Sequence, residues 1–314
     1  MRDEGSALEG ESQRHRDIES AEASDWVYLK LYLGEAFDRC DAVIVFLLPQ
    51  ILRLEGIQRW FFLRYTDERG FHLRLRLRTA SSGASALSEQ ATRLCQRTLQ
   101  RLLSFPPSDY YPMVPPSSGR FFEAPPGATT GIEADRYEPE YEKFGGTRGM
   151  PIAEELFEVS SRIAVDIVSA EDRGSVSRKT LAPCLMQAVA NAFEIDTVEF
   201  WQDYSFYWLG ARTPLAHDTR RRFFEKGQTL HESGIPIVAP QSTLHETARN
   251  FIEKWRHAVR AAARAYARTV GDLTTDVLAF NFAHLMNNRI GLYPLDEAYL
   301  AALLEQRAKE NFAA

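Results

Sequence analysis

Residues 71–78 read Phe-His-Leu-Arg-Leu-Arg-Leu-Arg. Alternation this strict describes an extended strand, in which side chains two positions apart share a face. His72, Arg74, Arg76 and Arg78 then stand on one side, and Leu73, Leu75 and Leu77 on the other. If the leucines pack under helices, the opposite face carries guanidinium groups about 7 Å apart along the strand. Like charges in a row are unfavourable unless something anionic sits among them. Two sources of that charge are open from the pattern alone: Asp or Glu on neighbouring strands, or an anionic ligand.

The flanking segments suit the same sheet. Trp26 to Leu33 alternates with Val27, Leu29, Leu31 and Leu33 on one face and Trp26, Tyr28, Lys30 and Tyr32 on the other, which predicts a half-buried strand ended by Gly34. Asp38 to Glu55 reads as a helix, with Pro49 kinking or breaking it near its end. Ile57 to Tyr65 is a third strand, joined to the Phe71–Arg78 strand through the five residues TDERG. Ser88 to Leu103 recovers helical spacing with Ser88 as N-cap, Pro106 to Pro116 is a loop, and a fourth strand is expected between Arg120 and Arg136. The order strand, helix, strand, strand, helix, strand predicts a ferredoxin-like, split βαβ sheet.

Beyond Gly145-Gly146 the texture turns helical. Helices are predicted over Ile152–Ser169, Arg178–Phe193, Thr197–Leu209, His245–Val270, Thr275–Arg289 and Leu295–Phe312, with Pro214 taken as a turn signal. The fold class is therefore α+β. Residues 1–24 form a disordered polar tail, 25–150 a mixed sheet subdomain, and 151–314 a helical subdomain sharing one active site with the first.

Composition narrows the function. The net charge of −6 argues against direct nucleic-acid binding, which needs a basic excess. Among the basic residues, 31 arginines stand against six lysines. Genome composition explains such a bias generally, and a bidentate carboxylate or phosphate site explains it locally. Cys40, Cys95 and Cys184 are odd in number and far apart, so neither a disulfide framework nor a zinc site is indicated. Residues 1–24 lack the apolar core of a signal peptide. The longest apolar run, Ala42 to Leu48, is well short of the ~20 residues of a membrane span. A soluble, cytoplasmic protein is expected.

Two further constellations could carry chemistry. In Tyr137-Glu-Pro-Glu140-Tyr-Glu-Lys143-Phe-Gly-Gly146, Glu140 and Lys143 would meet on a helical turn; an exposed charged loop is the plainer reading. In Thr275–Arg289, Asn281, His284 and Asn288 make a polar stripe on an apolar helix. A lone histidine there is usually a satisfied core residue, but two asparagines alongside it raise the case for a site. Histidine also has the pKa that suits proton transfer near neutrality. Phosphate-binding glycine loops, metal-ligand clusters, GxSxG elbows and dinucleotide fingerprints are absent from the sequence, so no metal or cofactor is expected.

Taken in order, Trp26-Val-Tyr-Leu-Lys-Leu-Tyr, Trp60 through Asp67 running into His72-Leu-Arg-Leu-Arg76, Tyr137 through Gly146, and His284-Leu-Met-Asn-Asn-Arg289 resemble the carboxy-terminal domain of lantibiotic dehydratases. The same domain occurs free-standing in thiopeptide-type bacteriocin biosynthesis. The resemblance covers nearly all of residues 25–312. It implies β-elimination of glutamate from glutamylated Ser or Thr of a leader-bearing precursor peptide, leaving dehydroalanine or dehydrobutyrine. Glutamylation by glutamyl-tRNA would fall to a separate protein. Carried onto this chain, the resemblance makes Arg74 and Arg76 the pair that binds the adduct and stabilises departing charge, His284 the proton-transfer residue, and Glu140 an orienting acid. His72, Lys143, Asn288, Arg289, Tyr28 and Lys30 become substrate-binding candidates. Eliminating members tend to carry arginine where this chain has Lys143, which replaces a bidentate contact with a point charge. The free-standing family also contains pyridine synthases, which join two dehydroalanines in a formal [4+2] cyclisation and expel the leader. Retention of both arginines with His284 favours elimination, and Lys143 weakens that preference. A non-catalytic subunit that docks the precursor is the third reading. A homodimer is compatible with the sequence and not required by it.

Overall fold

Strand β3 (Gly70–Arg78) lies in a four-stranded antiparallel sheet with β1 (Trp26–Leu33), β2 (Arg59–Asp67) and β4 (Thr130–Asp135), ordered β2-β3-β1-β4. The computed structural model describes residues 25–110, 112–114, 125, 127–270 and 275–313; the expected tail at 1–24 lies outside them. Placing β1 between β3 and β4 separates β1 from β2 by one strand, which is the split βαβ arrangement. A 3-10 turn (Gly34–Arg39) and helix α1 (Cys40–Ile51) connect β1 to β2, and α2 (Ala84–Gln100) precedes β4.

Leu73, Leu75 and Leu77 are 0–1% exposed, and with Val27, Leu29, Leu31 and Leu33 they form the floor of the core. Helix α2 packs on β1 and β4, and α1 on α2. The other face of β1 is mostly buried too, contrary to the expectation of a half-buried strand, while Tyr65, Glu133 and Asp135 at the sheet's edges stay partly exposed. Tyr28, Tyr32, His72 and Arg76 are buried as well, because aromatic rings and guanidinium groups cover one another there.

Three local expectations are corrected. The β2–β3 ladder runs out to Asp67 opposite Gly70, so the loop is only Glu68-Arg69; the Asp67 carboxylate accepts the Arg69 N–H at 3.0 Å and braces the turn. Helix α2 begins at Ala84, one turn before Ser88, because buried Leu87 anchors an extra turn that Ser88 was taken to cap. Helix α1 starts at Cys40 and passes through Pro49 to Ile51.

The remaining helices are α3 (Gly146–Asp172), α4 (Arg178–Ala192), α5 (Val198–Trp208), α6 (Pro214–Glu232), α7 (Glu246–Thr269), α8 (Thr275–Ile290) and α9 (Pro294–Ala313). Helix α6 was not expected. Pro214 occupies its first turn, where the missing N–H costs nothing, and the Thr213 hydroxyl oxygen accepts the Ala216 N–H at 3.2 Å. One apolar core runs from Val27 through the sheet and helices to Ala308. Helices α3 and α8 both rest against β2, which brings the helical part of the chain to the sheet edge. Cys40, Cys95 and Cys184 are buried free thiols. No described helix is long and apolar enough to cross a membrane.

Candidate functional site

The strand register sets the face opposite the leucines. Tyr28, Lys30 and Tyr32 of β1 stand across from Arg76, Arg74 and His72 of β3; Phe61, Leu63 and Tyr65 of β2 flank them on one side, and Asp135 and Glu133 of β4 on the other.

Lys30 is neutralised by its neighbours. Its ammonium lies 2.6 Å from Asp135 and 3.5 Å from Glu133, and the bond to Asp135 raises its pKa. The arginines are different. Arg74 Cζ lies 3.3 Å from the Tyr65 ring centroid, and its Nε–H donates to His72 Nε2 at 3.2 Å. Arginine only donates, so His72 Nε2 must be the unprotonated nitrogen, and Nδ1–H faces the Gly70 carbonyl at 3.2 Å. Burial lowers the His72 pKa, in keeping with a neutral ring that orients Arg74.

Arg76 is 8% exposed and boxed by the Tyr28, Phe61 and Tyr137 rings at 4.5, 5.3 and 5.1 Å. Its Nε is buried without a partner. Burial lowers its pKa. Arg289, near the end of α8, is wholly buried; its Nε donates to Ser161 Oγ and its Nη1 to the Leu285 carbonyl, both at 3.0 Å, while Nη2 has no partner. Burial, reinforced by the Arg76 charge, pushes it down to about 9. Phe157 links the two, lying 5.2 Å from Arg289 Cζ and 5.3 Å from Phe61. Among the described residues no carboxylate pairs with Arg74, Arg76 or Arg289. Buried cations without anions are costly, so the face is suited to an anionic ligand.

His284 lies one turn before Asn288 on α8. Its Nδ1 faces Glu297 Oε1 at 3.0 Å, and its ring packs on Trp208 at 4.5 Å. A carboxylate at this distance accepts from a protonated Nδ1, and that tautomer leaves Nε2 with its lone pair. The imidazole is 26% exposed, and the Glu297 side chain is buried. His284 and Arg289 are five residues apart, about 7.5 Å along the helix axis. Among the described residues no hydrogen bond or ion pair joins His284 to Arg74, Arg76 or Glu140.

The other candidates are engaged locally. The Asn288 amide spans the β2 edge, accepting the Arg64 N–H at 3.0 Å and donating to the Arg64 carbonyl at 2.8 Å. Arg64 Nε–H in turn donates to the Arg289 carbonyl at 3.2 Å. Glu140 and Lys143 form an ion pair on the turn before α3, each more than half exposed. Asn281 donates to the carbonyl of Val277 within its own helix. Beside Asn288 a cavity of about 450 Å³ opens among Arg64, Tyr65, Phe71, Tyr110 and Tyr293. Beneath it, burial would raise the Asp41 carboxyl, but Arg64 at 2.7 Å and Arg178 at 2.8 Å hold it below the usual carboxylate range.

Sequence reasoning missed Glu297 and Ser161. Asp296-Glu297 in a first helical turn is what any helix dipole favours, so nothing marked Glu297 as special. Ser161 shows no signal in a single sequence.

The profile of one family, lantibiotic biosynthesis dehydratase C-terminal, matches residues 26–308. Comparison with curated proteins finds no match. Among solved structures, the fold is similar to that of the tRNA-dependent lantibiotic dehydratase MibB from Microbispora sp. 107891, with a TM-score of 0.64 and 22% identity over 94% of this chain; the chain spans 29% of MibB. It is also similar to the pyridine synthase TbtD from thiomuracin biosynthesis (TM-score 0.63, 17% identity, 92% of this chain and 99% of that one). TsrL matches with a TM-score of 0.57 and 15% identity, over 92% of this chain and 95% of its own. At these identities the fold is what is shared.

Proposed function

Because the chain belongs to the lantibiotic biosynthesis dehydratase C-terminal family, we propose that it eliminates glutamate from glutamylated Ser or Thr of a leader-bearing precursor peptide. The observation that carries this reading is the set of guanidinium groups without carboxylates, Arg74, Arg76 and Arg289, on and beside one face of the sheet. A glutamyl adduct is anionic and departs as a carboxylate, so it supplies the partner these arginines lack among the described residues. The site draws on both the sheet part (25–150) and the helical part (151–314) of the chain.

In this reading His284 Nε2 takes the weakly acidic Cα proton. The C–H electron pair becomes the Cα=Cβ bond, the Cβ–O bond breaks, and its electrons leave with glutamate. Arg74 and Arg76 hold the adduct and stabilise the departing carboxylate. Arg289 adds charge behind Arg76, and Glu140, paired with Lys143 on an exposed turn, orients an arginine or the substrate amine. A separate tRNA-dependent protein supplies the glutamylated peptide, and the work is cytoplasmic, where the precursor is made.

A second reading, [4+2] pyridine formation with loss of the leader, is favoured by one observation: the likeness to TbtD covers 99% of that enzyme. The test is a synthetic peptide carrying a glutamylated serine, followed by mass spectrometry. Loss of glutamate that vanishes in His284→Ala supports elimination. No loss there, with ring closure on a bis-dehydroalanine peptide, supports the synthase. Retained peptide binding without either reaction leaves a docking role.

A further inference from the structure

Glu297 stands in the first turn of α9 and is 0% exposed, and no lysine or arginine among the described residues pairs with it. A carboxylate buried this completely costs several kcal/mol unless donors surround it. Three do. The Tyr204 hydroxyl from α5 and Asn287 Nδ2 from α8 both donate to Oε2, the latter at 3.2 Å, and His284 Nδ1 approaches Oε1 at 3.0 Å. Burial and the Glu297 charge raise the Tyr204 hydroxyl well above the usual range, so it stays protonated and remains a donor. Among the described residues, the ionisable groups hydrogen-bonded into this cluster with His284 are Glu297 from α9 and, behind it, Tyr204 from α5.

Of the three donors only His284 reaches solvent. Tyr204 and Asn287 are 1% and 0% exposed, whereas His284 is 26% exposed and lies on the Trp208 ring. The arrangement is a polar cluster inside the helical part of the protein, and His284 is its partly exposed member among the described residues. Stability alone does not call for it, since apolar residues of similar volume would fill the same space at equal or lower cost.

We propose that Glu297 is the positioning residue for His284. It fixes the Nδ1–H tautomer, so that Nε2 presents its lone pair, and it stabilises the imidazolium formed when Nε2 takes a proton. The inference deepens the proton-transfer role given to His284 above and rests on that reading. In the elimination step Nε2 gains the Cα proton, the C–H electrons form the double bond, glutamate leaves with the Cβ–O pair, and the Nδ1 proton stays in place. Tyr204 and Asn287 hold the second oxygen of Glu297 and keep it aimed.

The test uses the full chain with ¹⁵N-labelled histidine. At a pH where His284 is neutral, its nitrogen shifts are expected to report Nδ1–H in the parent. In Glu297→Gln, whose amide can donate as well as accept, that signature is expected to be lost or mixed. On the glutamylated-serine peptide, Glu297→Gln should lower kcat by on the order of 10²–10⁴-fold with KM changed by less than about threefold. Glu297→Asp should recover part of the loss, and Tyr204→Phe should keep the tautomer while lowering kcat about tenfold or less. An Nε2–H tautomer in the parent overturns the proposal without any variant, which covers the case in which Glu297→Gln fails to fold. A Glu297→Gln enzyme within threefold of the parent in kcat overturns it too. If the parent eliminates nothing, the elimination reading fails, and the tautomer measurement still decides whether Glu297 sets the state of His284.

Discussion

Arg289→Met separates a structural cation from one kept for a ligand. The guanidinium is wholly buried, and burial together with Arg76 holds it down at about 9, far below the ordinary arginine value, a penalty on the charged form of roughly 5 kcal/mol. Its hydrogen bonds to Ser161 and to the Leu285 carbonyl return about 1.5–3 kcal/mol each. The two sums nearly cancel, and methionine fills much of the same volume. Arg289→Met is therefore expected to change unfolding stability by less than about 2 kcal/mol, where breaking a buried ion pair would cost about 3–5 kcal/mol. Urea denaturation with and without L-glutamate reads both halves of the argument. At ten times its dissociation constant, glutamate should stabilise the parent by about 1.4 kcal/mol and leave the variant unmoved. A destabilisation beyond about 4 kcal/mol, or an equal response to glutamate in both proteins, would refute the reasoning.

Other expectations follow from the same geometry. Asn288→Leu strips the Arg64 N–H and C=O at the β2 edge of both partners and should cost about 2–4 kcal/mol by urea denaturation. The Asp41 carboxyl titrates below its unfolded value, so its contribution is present at neutral pH and is lost as pH falls below about 4. Asp41→Asn should accordingly show a shallower acid limb of stability than the parent, by up to about 1.4 kcal/mol per pH unit, measured by denaturation at stepped pH. Lys143→Arg alters only an exposed ion pair and should move stability by less than about 0.5 kcal/mol. If this position contacts the adduct, the same variant raises kcat/KM for elimination several-fold; an unchanged kcat/KM marks a surface pair only.

The sheet could be read from the chain because its strands alternate residues as unlike as leucine and arginine, and local period fixes the face; the β2–β3 register depends on the tight turn at Glu68-Arg69, which the TDERG segment did not reveal. The order of strands and helices likewise gave the split βαβ plan. What escaped depends on distant partners. Nothing near Arg76 in sequence announces that Phe61 and Tyr137 will enclose it, so the arginine face was expected to be half open. Helix α6 was missed because Pro214 reads equally well as a break or as a first helical residue, and Thr213 decides for the helix. Asn288, a candidate ligand residue by resemblance, spends its amide on the edge of β2, a contact 224 residues away in the chain. His284 could be singled out from its polar stripe, yet its tautomer depends on Glu297, thirteen residues on and in another helix.

The most direct test of the elimination reading is the mass balance on one defined substrate. A precursor peptide with a single glutamylated serine, incubated with the full chain, is expected to lose glutamate and retain dehydroalanine, with free glutamate appearing in equal amount. His284→Ala and Arg76→Met should each abolish both signals while the variants remain folded. Glutamylated peptide returned intact by the parent, or glutamate released at the parent rate by His284→Ala, would contradict the reading.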